Sequence, residues 1–543
     1  MLRITNLSDD FVKSLIQLGS GRIPLGKIDE FIILIEREIR NHYFTKSSES
    51  NLIRIIKSQY DLTFFVDESI KYPQHIEILV SISSNSNYLS DILVINPEYF
   101  SSIVNPSTLI TKLTNAEIEK ITAGINDYKS LDAKVNALKN LKRKEILRIG
   151  LKDIYKKTEL NEIIGELSIL AGGIVSLLFK YCYEEILNKY SFKKINRNYC
   201  LIGLGKLGGI ELNYSSDIDL ILFYDNELKV GNKFFSEILI EAAKLFINKA
   251  GSGESGKLFR IDFRLRPDGI YSPLCRSLTE YLNYYETRGE DWERQMLIKA
   301  NFIGGSKSLF DEFINYLTPF IYPSSHNFSP MEQIQRMKQN IEKNLTDEEN
   351  IKLIRGGIRD IEFPVQALQL LNGGKNKDLR TGNTLTALNE LQKVKLLSTK
   401  ESEIFKSAYT LYRRIEHYLQ LMNDRQTHIV PQEGELAEKL SHYLGFESLQ
   451  KFQNLLSIQR SRVRKIYESI IESGTSKDDT VFNFSKLNFK DPNKAKSNFQ
   501  YLREGKGLIG KKKFDKKSIS AFLRLEPELF KRLKISHSPD KLL

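Results

Sequence analysis

The sequence predicts a mostly α-helical protein with a small mixed β-sheet, an α+β arrangement in which a sheet domain is flanked by helical domains. Two observations predict it. Apolar residues recur at three-to-four spacing through most of residues 1–190 and 303–475, as in IDEFIILIEREIRNHYF. Between these stretches, residues 199–267 carry three short β-patterned runs separated by glycine-rich or polar turns. The 543 residues then divide into a helical region (1–190), a sheet domain (191–302), a C-terminal helical bundle (303–475) and a linker segment (476–543).

The N-terminal region opens on MLRITNLSDDF, which lacks the charged-then-apolar pattern of a signal peptide. Its longest apolar stretch, Leu167–Phe179, is short for a membrane span and contains Gly172 and Gly173, so it reads as a buried helix. Cys182, Cys200 and Cys275 form neither a metal motif nor a disulfide framework. A soluble, cytoplasmic protein with no membrane partner is expected. The net charge of +12 and pI of about 9.1 invite a nucleic-acid reading. Lysine runs such as EGKGLIGKKKFDKK at 504–517 account for much of the excess. They read as solvated surface, and no nucleic-acid partner is expected.

The first two β-patterned runs enclose LIGLGKLGGIELNYSSDIDLILFYD, residues 201–225. Gly203, Gly205 and Gly208 spell G-x-G-x-x-G after the run Tyr199–Ile202, the signature of a dinucleotide turn. That reading needs a crossover helix, and only the turn-rich stretch Gly209–Ser216 is available for it. A P-loop fails because Lys206 is followed by Leu207. A strand, a glycine-rich connection and a second strand opening Asp217-Ile218-Asp219 remain. Side chains two apart on a strand share a face, roughly 6.5 Å apart. Two carboxylates so placed either face water or share divalent cations, with Mg²⁺ the expected cofactor.

The third run, LFRIDFRLRP at 258–267, alternates Ile261, Phe263 and Leu265 with Arg260, Asp262, Arg264 and Arg266. Asp262 would complete a three-carboxylate metal cage with Asp217 and Asp219, and the arginines would face phosphate oxygens. The plainer alternative is a solvated face laced with ion pairs.

Beyond it, Ser277-Leu278-Thr279-Glu280 is a capping box that opens a helix ended by Gly289. A helix from Asp291 places Trp292, Met296 and Lys299 on one face, with Trp292 read as core packing. In the bundle, Ile358, Ile361, Val365 and Leu368 form an apolar stripe; Arg359, Glu362, Gln366 and Gln369 form a polar one. Arg413, Glu416 and Gln420 make a second polar stripe, read as bundle and rim residues, and His428 is not expected to be a catalytic base.

A glycine-rich turn, a D-x-D strand and a later single-acid strand resemble the layout of polymerase-β-like nucleotidyltransferases. The strings GLGKLGGIELNYSSDIDLILFYD, RIDFRLRPDGIYSPL, RGEDWERQMLIKA and KLIRGGIRDIEFPVQALQLLNGG resemble the glutamine synthetase adenylyltransferase/adenylyl-removing enzyme family, with agreement over most of residues 80–475. The wording is similar to the adenylyl-removing half of a family whose members are nearly twice this length, and the chain ends near where their middle segment begins.

The resemblance implies Mg²⁺-dependent phosphorolytic removal of AMP from a tyrosine of glutamine synthetase. It leaves ATP-dependent adenylylation, or a non-catalytic regulatory half, as alternatives. It implies Asp217, Asp219 and Asp262 as catalytic metal ligands. Gly205, Lys206, Gly208, Gly209, Ser216, Arg264 and Arg266 would hold nucleotide or phosphate. Arg359 and Glu362 would face the active site, and Pro364, where an aliphatic residue is the family norm, bears on the aim of Glu362. The implied partners are glutamine synthetase, ADP or ATP, phosphate, and the PII signal protein through the segment that follows.

Overall fold

The apolar run Ile218–Tyr224 is too apolar for a half-solvated strand, and it forms the centre of a sheet covered on both faces. The computed structural model describes residues 7–155, 157–192, 194–251, 256–323, 330–343, 349–474 and 489–505, with isolated positions from 514 to 542. Its strands are β1 (Tyr199–Gly203), β2 (Ile218–Tyr224), the small hairpin β3 (Lys229–Val230) and β4 (Lys233–Phe234), β5 (Ile261–Asp262), β6 (Cys275–Ser277) and β7 (Asn301–Gly305). The main sheet runs β5-β2-β1-β7, with β6 also pairing to β2. β1 is antiparallel to both β2 and β7, whereas β5 and β6 are parallel to β2. An antiparallel β1–β2 pair rules out a dinucleotide βαβ unit, because that unit requires parallel strands.

Alternation along β1 and β2 splits the core. Leu201, Leu220 and Leu222 pack on the side of the helices Leu160–Lys189 and Phe235–Gly251. Cys200, Ile202, Ile221 and Phe223 pack on the side of Leu278–Thr287 and Lys307–Ile321. The capping box at Ser277 and Glu280 is formed. The Leu160–Lys189 helix extends well beyond the predicted apolar run. Among the described residues it is the one helix long and apolar enough to cross a membrane. Here it is a core helix: Leu167, Leu170, Ile174 and Leu178 are buried, and its Glu166 is paired with Arg148 and Lys152.

The C-terminal bundle includes the helices Arg359–Asn372, Thr384–Lys393, Thr399–Asn423, Glu435–Tyr443 and Leu449–Gly474 around Leu388, Phe405, Tyr409 and Tyr412. Its long helix Thr399–Asn423 also meets the N-terminal helices, where Ser86 Oγ donates to the Leu421 carbonyl at 2.5 Å. Residues 1–471 accordingly form one compact unit, and the sheet reaches past 302 through β7. The second unit, 472–543, contains the helix Pro492–Glu504, capped by Asp491. Much of the predicted linker, including most of its lysine run, lies outside the described residues.

The third strand is much shorter than predicted. Only Ile261–Asp262 pairs with β2. The Asp262 carboxylate accepts from its neighbour Arg264 N at 2.7 Å, and such an Asx-type turn bends the chain out of the ladder. Phe263 and Leu265, expected on one face, therefore join the cores on opposite sides of the sheet.

Candidate active site

β1 delivers the chain into the glycine turn through Leu204, whose N–H donates to the Asp219 carbonyl at 2.9 Å. Gly205 then takes φ +54, and a side chain there would collide with the Asp219 carboxylate. One helical turn, Gly205–Gly208, follows. Gly205, Lys206 and Ser216 line a cavity of about 480 Å³. Gly208 and Gly209 do not. A Cβ on Gly208 would run into the carbonyls of Lys299 and Gly203, and one on Gly209 into that of Gly382. These two glycines serve close backbone packing, which corrects the expectation that they face a nucleotide.

The acids converge on one rim of the cavity. Parallel pairing sets Asp219 beside Asp262, and Asp217 lies one residue ahead of β2. Burial, then the charges of Asp262 and Asp217, push the Asp219 carboxyl up to about 6. Burial also opposes ionisation of Asp262, but Arg264, 2.5 Å away, outweighs it and holds the carboxyl below its usual range. Asp217 sits 2.5 Å from Arg260. With two of the three carboxylates so engaged, no group of three His, Cys, Asp or Glu side chains among the described residues is drawn into a finished metal cage.

Basic groups line the same cavity. The helix from Arg359 brings Arg359 and Glu362 to the cavity, as expected, and they are also an ion pair at 3.1 Å. Apart from Arg359, its polar stripe is as buried as its apolar one: Gln366 accepts from Gln295, and Gln369 donates to the Leu379 and Thr381 carbonyls. Pro364 lies in the second turn without interrupting it. Burial disfavours charge on Glu362, yet Lys299, Arg359, Lys206 and Lys352 hold its carboxyl down at about 2. Lys352, from the segment ahead of that helix, also lines the cavity. The charge of Lys206 and then burial push its ammonium down to about 7. Trp292, Met296 and Lys299, expected on one face, all line the cavity, with Lys299 just past the end of the helix Asp291–Leu297. Trp292, however, is 39% exposed and donates to Glu290 at 2.7 Å, so it is a wall residue rather than a core one.

Two further expectations change. Arg266 is buried and turned inward, donating to the carbonyls of Phe263, Ser272 and Pro273 at 2.7–2.9 Å. It braces the loop after β5 and does not face the cavity. Arg413, Glu416 and Gln420 are fully buried rather than at the rim. Arg413 donates to the Glu211 carbonyl at 2.6 Å and pairs with Glu416 at 3.2 Å. Asn213 donates to Glu416 at 3.1 Å, and Ser215 N donates to Gln420 at 2.9 Å. His428 Nδ1 lies 2.5 Å from Glu416, and Lys299 Nζ lies 2.5 Å from Glu211. This clamp fixes the Gly209–Ser216 connection that aims Asp217 and Asp219. The cue in the sequence was a run of large polar residues at helical spacing in a chain segment otherwise rich in core apolar residues.

An antiparallel strand pair joined by a glycine turn, with acids at the start of β2 and in register on β5, defines a nucleotidyltransferase fold. Residues 76–315 match the family described as Glutamate-ammonia ligase adenylyltransferase. Residues 330–471 match one described as GlnD PII-uridylyltransferase. The bifunctional glutamine synthetase adenylyltransferase/adenylyl-removing enzyme of Shewanella woodyi is 30% identical over 420 residues, 74% of this chain and 43% of the relative. The protein of that name from Rhizobium meliloti is 32% identical over 389 residues, 65% and 39% of the two chains. That from Bradyrhizobium sp. is 27% identical over 500 residues, 86% and 50%. Over the region these matches cover, the chain is similar to the glutamine synthetase adenylyltransferase/adenylyl-removing enzymes. It spans about two fifths to one half the length of these relatives.

Proposed function

We propose that this chain removes AMP from an adenylylated tyrosine of glutamine synthetase by phosphorolysis. An orthophosphate oxygen bonds to the AMP phosphorus, the bond from phosphorus to the tyrosine oxygen breaks, and ADP leaves. The tyrosine phenolate then takes up a proton. The observation that carries the reading is one cavity lined both by three carboxylates and by Lys206, Lys352 and Arg359. The direction rests on the resemblance of this chain's motifs to the adenylyl-removing half.

Mg²⁺ fits the acidic rim. All its side-chain donors are carboxylate oxygens, the ligands a hard cation takes. Burial first, and then its acidic neighbours, push Asp219 up, and no ion pair among the described residues offsets that charge. The guanidiniums holding Asp217 and Asp262 belong to largely exposed side chains, 54% and 73%, so ligand exchange costs little. Asp217, Asp219 and Asp262 would hold the ions, which supply charge stabilisation for phosphate and the departing phenolate. Gly205 admits the nucleotide phosphate close to the turn. Glu362, held ionised, fixes Arg359 and Lys299 in place along the basic wall. The buried clamp keeps the acids aimed.

The similarity of residues 330–471 to a PII-modifying family supports a PII signal protein as a further partner. A cytoplasmic location is proposed with this substrate, and the three free, buried cysteines are compatible with it. The test mixes the full chain with adenylylated glutamine synthetase, Mg²⁺ and orthophosphate, with Asp217→Asn as control. ADP released by the wild type alone, and only with phosphate, supports the reading. AMP incorporation from ATP in place of ADP release assigns the forward reaction instead.

A further inference from the structure

The basic groups around the glycine turn pair off with two exceptions. Lys299 meets Glu211, Arg359 meets Glu362, and Arg413 meets Glu416. Lys206 and Lys352 are half-buried, line the cavity, and have no hydrogen bond or ion pair from their ammonium groups among the described residues. They arrive from distant places, one in the turn after β1 and the other in the segment before the Arg359 helix. Each lies within the other's field. Burying two like charges together is costly unless an anion joins them. The nearest carboxylates do not fill that role, since Glu362 and Glu416 are already committed to Arg359, Arg413 and His428. Asp219 feels both ammonium groups without touching either.

We infer that Lys206 and Lys352 form an anion subsite for a phosphate dianion, in the same cavity as the three carboxylates. This rests on the proposed phosphorolysis for its biological ligand, orthophosphate. The same chemistry would also grip the terminal phosphates of a nucleoside triphosphate in the forward reaction. The division of labour is physical: cations bound at Asp217, Asp219 and Asp262 would serve the AMP phosphorus, and the lysines would hold the second phosphate. Burial lowers Lys206, and Lys352 is lowered further by Lys206; both shifts are ones a bound dianion reverses.

The experiment measures equilibrium binding of orthophosphate, ADP and ATP to the full chain by calorimetry, with melting temperatures alongside. Lys352→Gln and Lys206→Gln are each compared with Asp219→Asn. The inference expects each lysine variant to lose about tenfold or more in orthophosphate affinity and to melt no lower than the wild type. Asp219→Asn retains that binding. Loss confined to ATP, with weak orthophosphate binding throughout, supports the subsite and assigns it to the triphosphate. Wild-type affinity for all three ligands in both lysine variants overturns it. The underlying reading fails separately: a wild type that binds orthophosphate but releases no ADP keeps the subsite and loses phosphorolysis. ADP release with an unchanged phosphate KM in both variants does the reverse.

Discussion

Two ionic clusters flank the glycine turn, and they treat charge in opposite ways. On the inner side, Glu211, Asn213, Arg413, Glu416 and Gln420 are fully buried or nearly so, and each is tied to the cluster by a hydrogen bond or ion pair. On the cavity side, burial and then neighbouring acids raise Asp219, while Lys206 and then burial lower Lys352, so both pKa values move toward neutrality. The inner cluster spends its polar groups on fixing a loop. The outer cluster leaves them unmet, which is the condition for binding charged ligands. Strongly shifted groups in a cleft mark a functional site for this reason.

The largest difference is predicted for the central acid. Asp219→Asn reduces ADP release by about 10⁴-fold, roughly 5.5 kcal/mol of barrier, while stabilising the fold. Because the folded pKa of Asp219 is raised to about 6, the unfolded chain ionises first. Wild-type stability is therefore full below about pH 4 and declines as pH rises to about 6, by up to about 3 kcal/mol. Denaturation at pH 7.5 should show the asparagine variant as the more stable protein.

Arg413→Met tests the inner cluster and has the opposite sign. Leaving the Glu416 carboxylate, the Asn213 amide and the Glu211 carbonyl without their buried partner costs about 3–5 kcal/mol, read as a lower denaturation midpoint. Arg266→Met is a smaller case of the same kind. Loss of its bonds to three carbonyls costs about 1–3 kcal/mol, with orthophosphate affinity unchanged.

The basic wall gives a pH signature. Lys352 is faced by Lys206, Arg359, Glu416 and Glu362, and Lys206 and then burial push its ammonium down to about 7. Sulfate, a dianion throughout this range, should bind tightest below pH 7 and weaken by several-fold as pH rises above it. Lys352→Gln should flatten that profile. The smallest effect is expected at Trp292, whose exposure limits the stability cost of Trp292→Ala to under about 1 kcal/mol, while its fluorescence reports nucleotide entering the cavity.

Local chemistry was legible in the sequence. The capping box at Ser277, the D-x-D pair, the missing crossover helix and the shared face of Trp292, Met296 and Lys299 all depend on residues a few positions apart, whereas the cavity that face lines was not legible. The failures involve partners that are distant, or a local choice that competes with periodicity. Alternation across 258–267 was genuine, but Asp262 bonding to Arg264 N bent the chain after two paired residues. Arg266 has the pattern of a phosphate ligand, and only the path of Ser272 and Pro273 past its guanidinium shows otherwise. Arg413 and Glu416 meet residues some two hundred positions earlier, and no helical spacing reveals that. Lys352 belongs to the cavity only because the bundle folds against the sheet.

We propose that orthophosphate attacks AMP in this cavity. The direct measurement supplies ³²P-orthophosphate with adenylylated glutamine synthetase and Mg²⁺, then locates the label in the released nucleotide. The account predicts ADP labelled in its β-phosphate, from the wild type and not from Asp219→Asn. Release of unlabelled AMP, or no release from the folded chain, contradicts it.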